Sequence, residues 1–102
     1  MVTQVRTYTV KSGMMDSWIK HFNGKIVPTS AKFGVKVLAA YANREEDKFI
    51  WVRQFESEDA LKRYEESSER AAYLPTNKEH LASTEFRNVE DVLHPSVVAA
   101  AT

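Results

Sequence analysis

The chain contains no cysteine. That absence removes disulfides, thiolate metal sites and a cysteine nucleophile together, and leaves packing to hold the fold. An excess of charge of either sign is also missing, since fourteen basic residues balance fourteen acidic ones. No net field therefore favours nucleic acid or an anionic membrane surface. No apolar run is long enough to span a bilayer. The N-terminus, MVTQVRTYTV, alternates polar and apolar residues and lacks the apolar centre of a signal peptide. A soluble, cytoplasmic protein with no nucleic-acid or membrane partner is expected. No G-x-S-x-G elbow, phosphate loop, dinucleotide fingerprint or carboxylate motif is visible. Nothing points to Ser-His nucleophilic catalysis or to a cofactor. The three histidines do not have metal-site spacing, so no metal is expected.

What is present is one domain's worth of chain. At 102 residues, 43% hydrophobic and 27% charged, the composition is that of a globular protein with a single core. Its most informative stretch is FIWVRQFESEDALKRY, Phe49 to Tyr64. Phe49, Trp51 and Phe55 fall on one side of an extended chain, Ile50 and Val52 on the other, so both faces of this strand carry large apolar groups. Helices of the same chain can cover one face. Little chain remains to cover the second, which points to a partner subunit.

Residues 2–10 read as a strand in which Arg6, Tyr8 and Val10 share a face. Ser12 is placed to cap a helix with Asp16 in its first turn. Stepping 100° per residue gathers Met14, Met15, Trp18, Ile19, Phe22 and Ile26 within about 140° of arc, and Pro28 is expected to end or kink the regular helix. Phe33-Gly34 is a turn, Val35–Ala42 a second strand, and 43–48 an exposed hairpin loop into the central strand. Ser57 is positioned to cap a second helix that begins Glu58-Asp59 and carries Tyr64 on its apolar side. Pro75 is expected to end that helix, with Thr76 and Glu79 boxing a short helical segment through His80 and Leu81. Phe86–Leu93 is read as a fourth strand with a bulge or bend.

This order, βαββαβ, predicts an α+β ferredoxin-like sandwich with a four-stranded antiparallel sheet. An internal echo supports it. Val5-Arg6-Thr7-Tyr8 before Ser12 parallels Val52-Arg53-Gln54-Phe55 before Ser57, which puts Arg6 and Arg53 on one face at the sheet centre. The segments VRTYTVKSGMMDSWIKHF, FIWVRQFESEDALKRY and VLHPS resemble the NIPSNAP family of the dimeric α/β-barrel superfamily. The resemblance covers nearly the whole chain. It implies a domain over residues 1–95, a C-terminal tail at 96–102, and a homodimer in which two sheets pair face to face into a barrel with helices outside. The biochemical role of that family is poorly defined. A sister group, the antibiotic-biosynthesis type monooxygenases, looks similar through the same strand and helix and oxidises aromatic substrates without metal or flavin. Where that group often has a histidine in the second helix, this chain has Tyr64.

Candidate site residues carry two readings each. His21, at the edge of the first helix's apolar arc, is either a general base in a pocket between helix and sheet or a half-exposed helix-edge residue. His80 is expected at the surface and His94 at the end of the last strand. Arg6 and Arg53, on a face with Tyr8, Trp51 and Phe55, either hold the carboxylate or enolate of an aromatic ligand or pair with Glu56, Glu85 or Glu90 across a dimer. Trp18, Trp51 and Tyr64 are ligand-pocket walls or core. A small aromatic or acidic ligand is the expected guest.

Overall fold

The computed structural model describes residues 1–93; the expected tail, and with it His94 and Pro95, lies outside them. Strand β1 (Val2–Val10) leads into a continuous helical arm made of α1 (Met15–His21), a π-helical turn (Phe22–Ile26) and α2 (Val27–Lys32). Strands β2 (Lys36–Asn43) and β3 (Lys48–Phe55) follow, then α3 (Glu58–Glu65), α4 (Ser68–His80) and β4 (Leu81–Val89). The strands form one sheet in the order β2-β3-β1-β4, every neighbouring pair antiparallel. That is the ferredoxin-like α+β architecture expected. Among the described residues no helix is long and apolar enough to cross a membrane.

One face of the sheet carries the core. Tyr8 and Val10 from β1 and Phe49, Trp51 and Phe55 from β3 are buried under Trp18, Phe22 and Ile26 of the helical arm and Tyr64 of α3. The rings meet edge to face, as their quadrupoles favour: Phe22 lies 4.8 Å from Phe49 and 5.1 Å from Trp51, and Trp18 lies 5.7 Å from Phe49. On the opposite face Val5 is paired with Val52, and Tyr41 with Ile50. Among the described residues no helix covers that side, and Val5, Ile50 and Val52 are only half-buried while Tyr41 is 66% exposed. Both faces of β3 are apolar, as its sequence shows, yet one chain covers only one.

Four local expectations are corrected. Ser12 caps nothing; α1 starts from Met14 with no side-chain cap, and Gly13 takes the left-handed turn at φ 79° that precedes it. Pro28 does not end the helical arm. The π turn just before it resets the hydrogen-bond ladder, so Pro28 falls in the first turn of α2, where a missing N–H costs nothing. The second helical region breaks instead at Glu66-Ser67, where Ser67 accepts from Arg70 N–H and donates to the Tyr64 carbonyl. Helix α4 then runs through Pro75 without a separate segment at 76–81. The fourth strand occupies Leu81–Val89, not 86–93. It lies at the sheet edge and is exposed on both sides along nearly its whole length, so no apolar alternation marks it; pairing with the β1 backbone defines it.

Ser57, by contrast, caps α3 as expected, accepting the Ala60 N–H at 3.1 Å. Two measurements check this account. Phe22→Ala should destabilise the fold by about 3–5 kcal/mol in urea unfolding, the cost of emptying a core ring site. Pro75→Ala, at an exposed position inside a continuous helix, should raise stability by about 1–3 kcal/mol because the lost main-chain bond is restored; a neutral result would mean that α4 is not continuous there.

Candidate functional site

Strand register builds the site first. In β1 the side chains at Gln4, Arg6 and Tyr8 point to the helix side, and in β3 those at Trp51, Arg53 and Phe55 do so. Gln4 lies opposite Arg53 and Arg6 opposite Trp51, which makes the two arginines diagonal neighbours on one face. Arg53 is 2% exposed. Its Nε and Nη2 donate to Gln4 Oε1 at 3.0 and 2.8 Å, and Gln4 Nε2 passes the chain on to Asn88 Oδ1 at 3.0 Å. The guanidinium carbon sits 5.5, 5.0 and 5.7 Å from the rings of Trp51, Phe55 and Tyr64, within cation–π range. Glu65 stands 3.9 Å from Nη2. Burial, and after it the charge of Arg6, lowers the Arg53 pKa to about 10, so the group stays cationic at neutral pH. Glu56, Glu85 and Glu90 are exposed, and within the single chain the acid beside Arg53 is Glu65. Arg6 donates from Nε to Tyr8 Oη at 2.7 Å and lies over the Phe86 ring at 5.4 Å.

Helix α4 closes the other side. Arg70, Tyr73, Leu74, Asn77 and Lys78 follow the i, i+3, i+4, i+7, i+8 spacing of one helical face and line a cavity of about 300 Å³. Its floor is Arg6, Tyr8, Trp51 and Arg53, and the first residues of β4, Leu81 to Thr84, form its rim. Arg6, Arg53, Arg70 and Lys78 are all in its wall, and no carboxylate is. The indole N–H groups of Trp18 and Trp51 are buried without a hydrogen-bond partner.

Behind that wall runs a chain of hydroxyls. Ser30 Oγ donates to the Ile26 carbonyl at 2.7 Å and lies 3.2 Å from Tyr64 Oη; Tyr64 Oη in turn is hydrogen-bonded to Tyr73 Oη. Burial first, then the bond to Tyr64, pushes the Tyr73 phenol well above its ordinary pKa, so it remains neutral.

The histidines sit elsewhere. His21 Nε2 is 2.7 Å from Asn77 Oδ1; the amide oxygen only accepts, so that nitrogen carries its proton and is not a base. His21 lines a smaller recess of about 180 Å³ with Lys25 and Thr29. His80, expected at the surface, is buried. Its Nδ1 donates to the Thr76 carbonyl at 2.8 Å and its Nε2 accepts from Ser17 Oγ at 2.7 Å, a Ser–His contact that no sequence motif announced. The two imidazoles stack at 6.0 Å.

Of the residues singled out in the sequence, Arg6, Tyr8, Trp51 and Arg53 come together in the larger cavity, whereas Trp18 and Tyr64 are fully buried core and His21 is outside it. Gln4, Arg70, Tyr73 and Asn77 were missed. The periodicity of Arg70 to Lys78 was available, and ending the helix at Pro75 concealed it. A clear energetic contrast follows. Gln4→Leu should cost about 2–3 kcal/mol in denaturant unfolding, because it strands a buried guanidinium. Glu65→Gln should cost less than about 1 kcal/mol, since its carboxylate is 44% exposed and distant.

Comparison with known proteins places this geometry. The structure matches an uncharacterised NIPSNAP domain protein from Burkholderia xenovorans with a TM-score of 0.79 at 13% identity, covering 93% of this chain and 99% of that one. It matches a NIPSNAP family protein from Agrobacterium tumefaciens with a TM-score of 0.77 at 16% identity over 92% and 96% of the two chains. A putative antibiotic biosynthesis monooxygenase from Bacteroides thetaiotaomicron matches with a TM-score of 0.76 at 14% identity over 92% and 91%. The resemblance to NIPSNAP proteins is thus borne out in the fold. No curated protein sequence matches significantly. The family model for antibiotic biosynthesis monooxygenases matches residues 1–76, from β1 through the first two turns of the cavity-lining helix, and the chain belongs to that family.

Proposed function

We propose that the protein is a cytoplasmic, homodimeric binding module whose cavity between α4 and the sheet takes a small aromatic acid. The carboxylate meets Arg53 and Arg6, and the ring lies against Trp51 and Tyr8. The observation that carries this reading is the wall itself, which holds three arginines and a lysine and no acid. Positive charge confined to a half-enclosed apolar space is worth more than at an open surface, because less water screens it. The cavity volume is at the lower end of small-molecule sites, roughly 300–1,000 Å³.

The homodimer rests on the uncovered sheet face. Tyr41 and Leu38 are 66% and 53% exposed next to half-buried Val5, Ile50 and Val52. An apolar surface of this kind, on a chain with no element left among the described residues to cover it, fits a second copy of the same sheet.

Family membership supports a second reading, oxygenation of an aromatic substrate without metal or flavin, in which a substrate carbanion or enolate reacts with oxygen and the protein orients it. His21 is the base considered for that reaction, and its Nε2–H is already committed to Asn77.

Three experiments test these readings. In calorimetric titration benzoate should bind and benzyl alcohol should not, and Arg53→Leu should weaken benzoate by ten- to a hundredfold, the loss of a charge-assisted hydrogen bond worth about 1.5–3 kcal/mol. Equal binding of the neutral alcohol would remove the anion site. Native mass spectrometry should give a dimer, and Val52→Lys a folded monomer. An oxygen electrode separates binding from turnover: substrate-dependent oxygen uptake that His21→Ala abolishes would establish the enzymatic reading, whereas benzoate affinity unchanged by His21→Ala, with no uptake, would establish the binding module.

A further inference from the structure

The hydroxyl chain behind the cavity has a direction, and the direction can be read. Ser30 has one hydroxyl proton, and Oγ donates it in a hydrogen bond to the Ile26 carbonyl, which only accepts. The bond between Ser30 and Tyr64 must then use the Tyr64 proton. The bond between Tyr64 and Tyr73 is left to use the Tyr73 proton. Each hydroxyl points inward, toward the helical arm, and all three bonds are consistent only in this sense. Tyr73, in the cavity wall, therefore has no proton to offer a guest; what it retains is a lone pair.

The neighbouring groups have the opposite polarity. Asn77 spends its Oδ1 on the His21 N–H, which leaves its amide protons as what it can give. Arg6 and Arg53 donate by nature. Tyr73 is thus an acceptor in the middle of α4, flanked by donors from Asn77, Arg6 and Arg53. We infer that Tyr73 is a specificity-determining residue: it accepts a hydrogen bond from a hydroxyl on the bound acid, so the preferred guest is a hydroxy acid whose carboxylate faces the arginines. This rests on the aromatic-acid reading above and narrows it. The physical reason for selectivity is the asymmetry of buried hydrogen bonds. A site holding an acceptor rejects a guest that leaves it dry far more strongly than an apolar wall rejects an added atom.

Benzoate and its three monohydroxy isomers, titrated calorimetrically against the full chain, test it. At least one isomer should bind tenfold or more tightly than benzoate, and the matching methoxybenzoate, which has an acceptor in place of the donor, should lose that advantage. Tyr73→Phe should abolish the advantage, so that the hydroxy isomer and benzoate bind within about threefold of each other. Tyr64→Phe removes the acceptor that holds the Tyr73 proton inward; the freed hydroxyl can then donate as well as accept, so the methoxybenzoate should gain while the hydroxy isomer keeps its partner. Four benzoates bound equally by the wild-type protein would overturn the inference and leave the anion site intact, a result that does not depend on any variant folding. If none of the four binds, the aromatic-acid reading itself is wrong and this inference goes with it. A Tyr64→Phe protein that still rejects the methoxybenzoate as the wild type does would show that the direction of the chain does not set the preference.

Discussion

A guanidinium occupies the centre of this sheet, where an aliphatic side chain would be the ordinary choice. Leaving Arg53 there unpaired would cost several kcal/mol. Around it the chain supplies a neutral amide, a distant carboxylate and three aromatic rings. Much of the fold's detail serves this one group. Gln4 is opposite Arg53 because of the β1–β3 register, Asn88 anchors Gln4 from β4, and Tyr64 reaches the cation from a helix capped at Ser57. The solution gives two of the guanidinium's five donors a partner in Gln4 and leaves its charge in place. A second guanidinium, Arg6, is close enough that repulsion helps depress the Arg53 pKa. Two cations kept together with no full counter-charge are an arrangement that an anionic guest would relieve.

Helix α4 turns that arrangement into a cavity. Had the helix ended at Pro75, Asn77 and Lys78 would not share a face with Arg70 and Tyr73, and the space above the arginines would open to solvent. The proline removes one main-chain hydrogen bond from the middle of the helix and leaves its direction usable. Similar economy holds at Pro28, where the π turn absorbs the interruption and delivers Ser30 to its buried place beside Tyr64. The two proline sites thus bear on the same hydroxyl chain, one from each side of the core.

The sheet has a second face that its own helices never meet. A strand as apolar on both sides as β3 is normally covered on both, and here the helices cover one. The site and the uncovered face are back to back across a single layer of backbone. Association through that face would stiffen the strands that carry Gln4, Arg6 and Arg53 without touching the cavity.

Local chemistry and strand periodicity were enough to determine the boundaries of β1, the central strand with its two apolar faces, the Ser57 cap, the fold class and the placement of Arg6 and Arg53 together. These features depend on residues a few positions apart, or on alternation, and so they are written in the order of the amino acids. Other features depend on contacts between distant segments. Strand β4 is defined by a backbone partner rather than by its own side chains. His80 is buried because α1 brings Ser17 and Trp18 against it. The sense of the Ser30–Tyr64–Tyr73 hydroxyl chain is set by Ser30, far away in sequence, donating to the Ile26 carbonyl. Hydrogen-bond direction is a property of a whole connected network, and only the tertiary structure assembles that network.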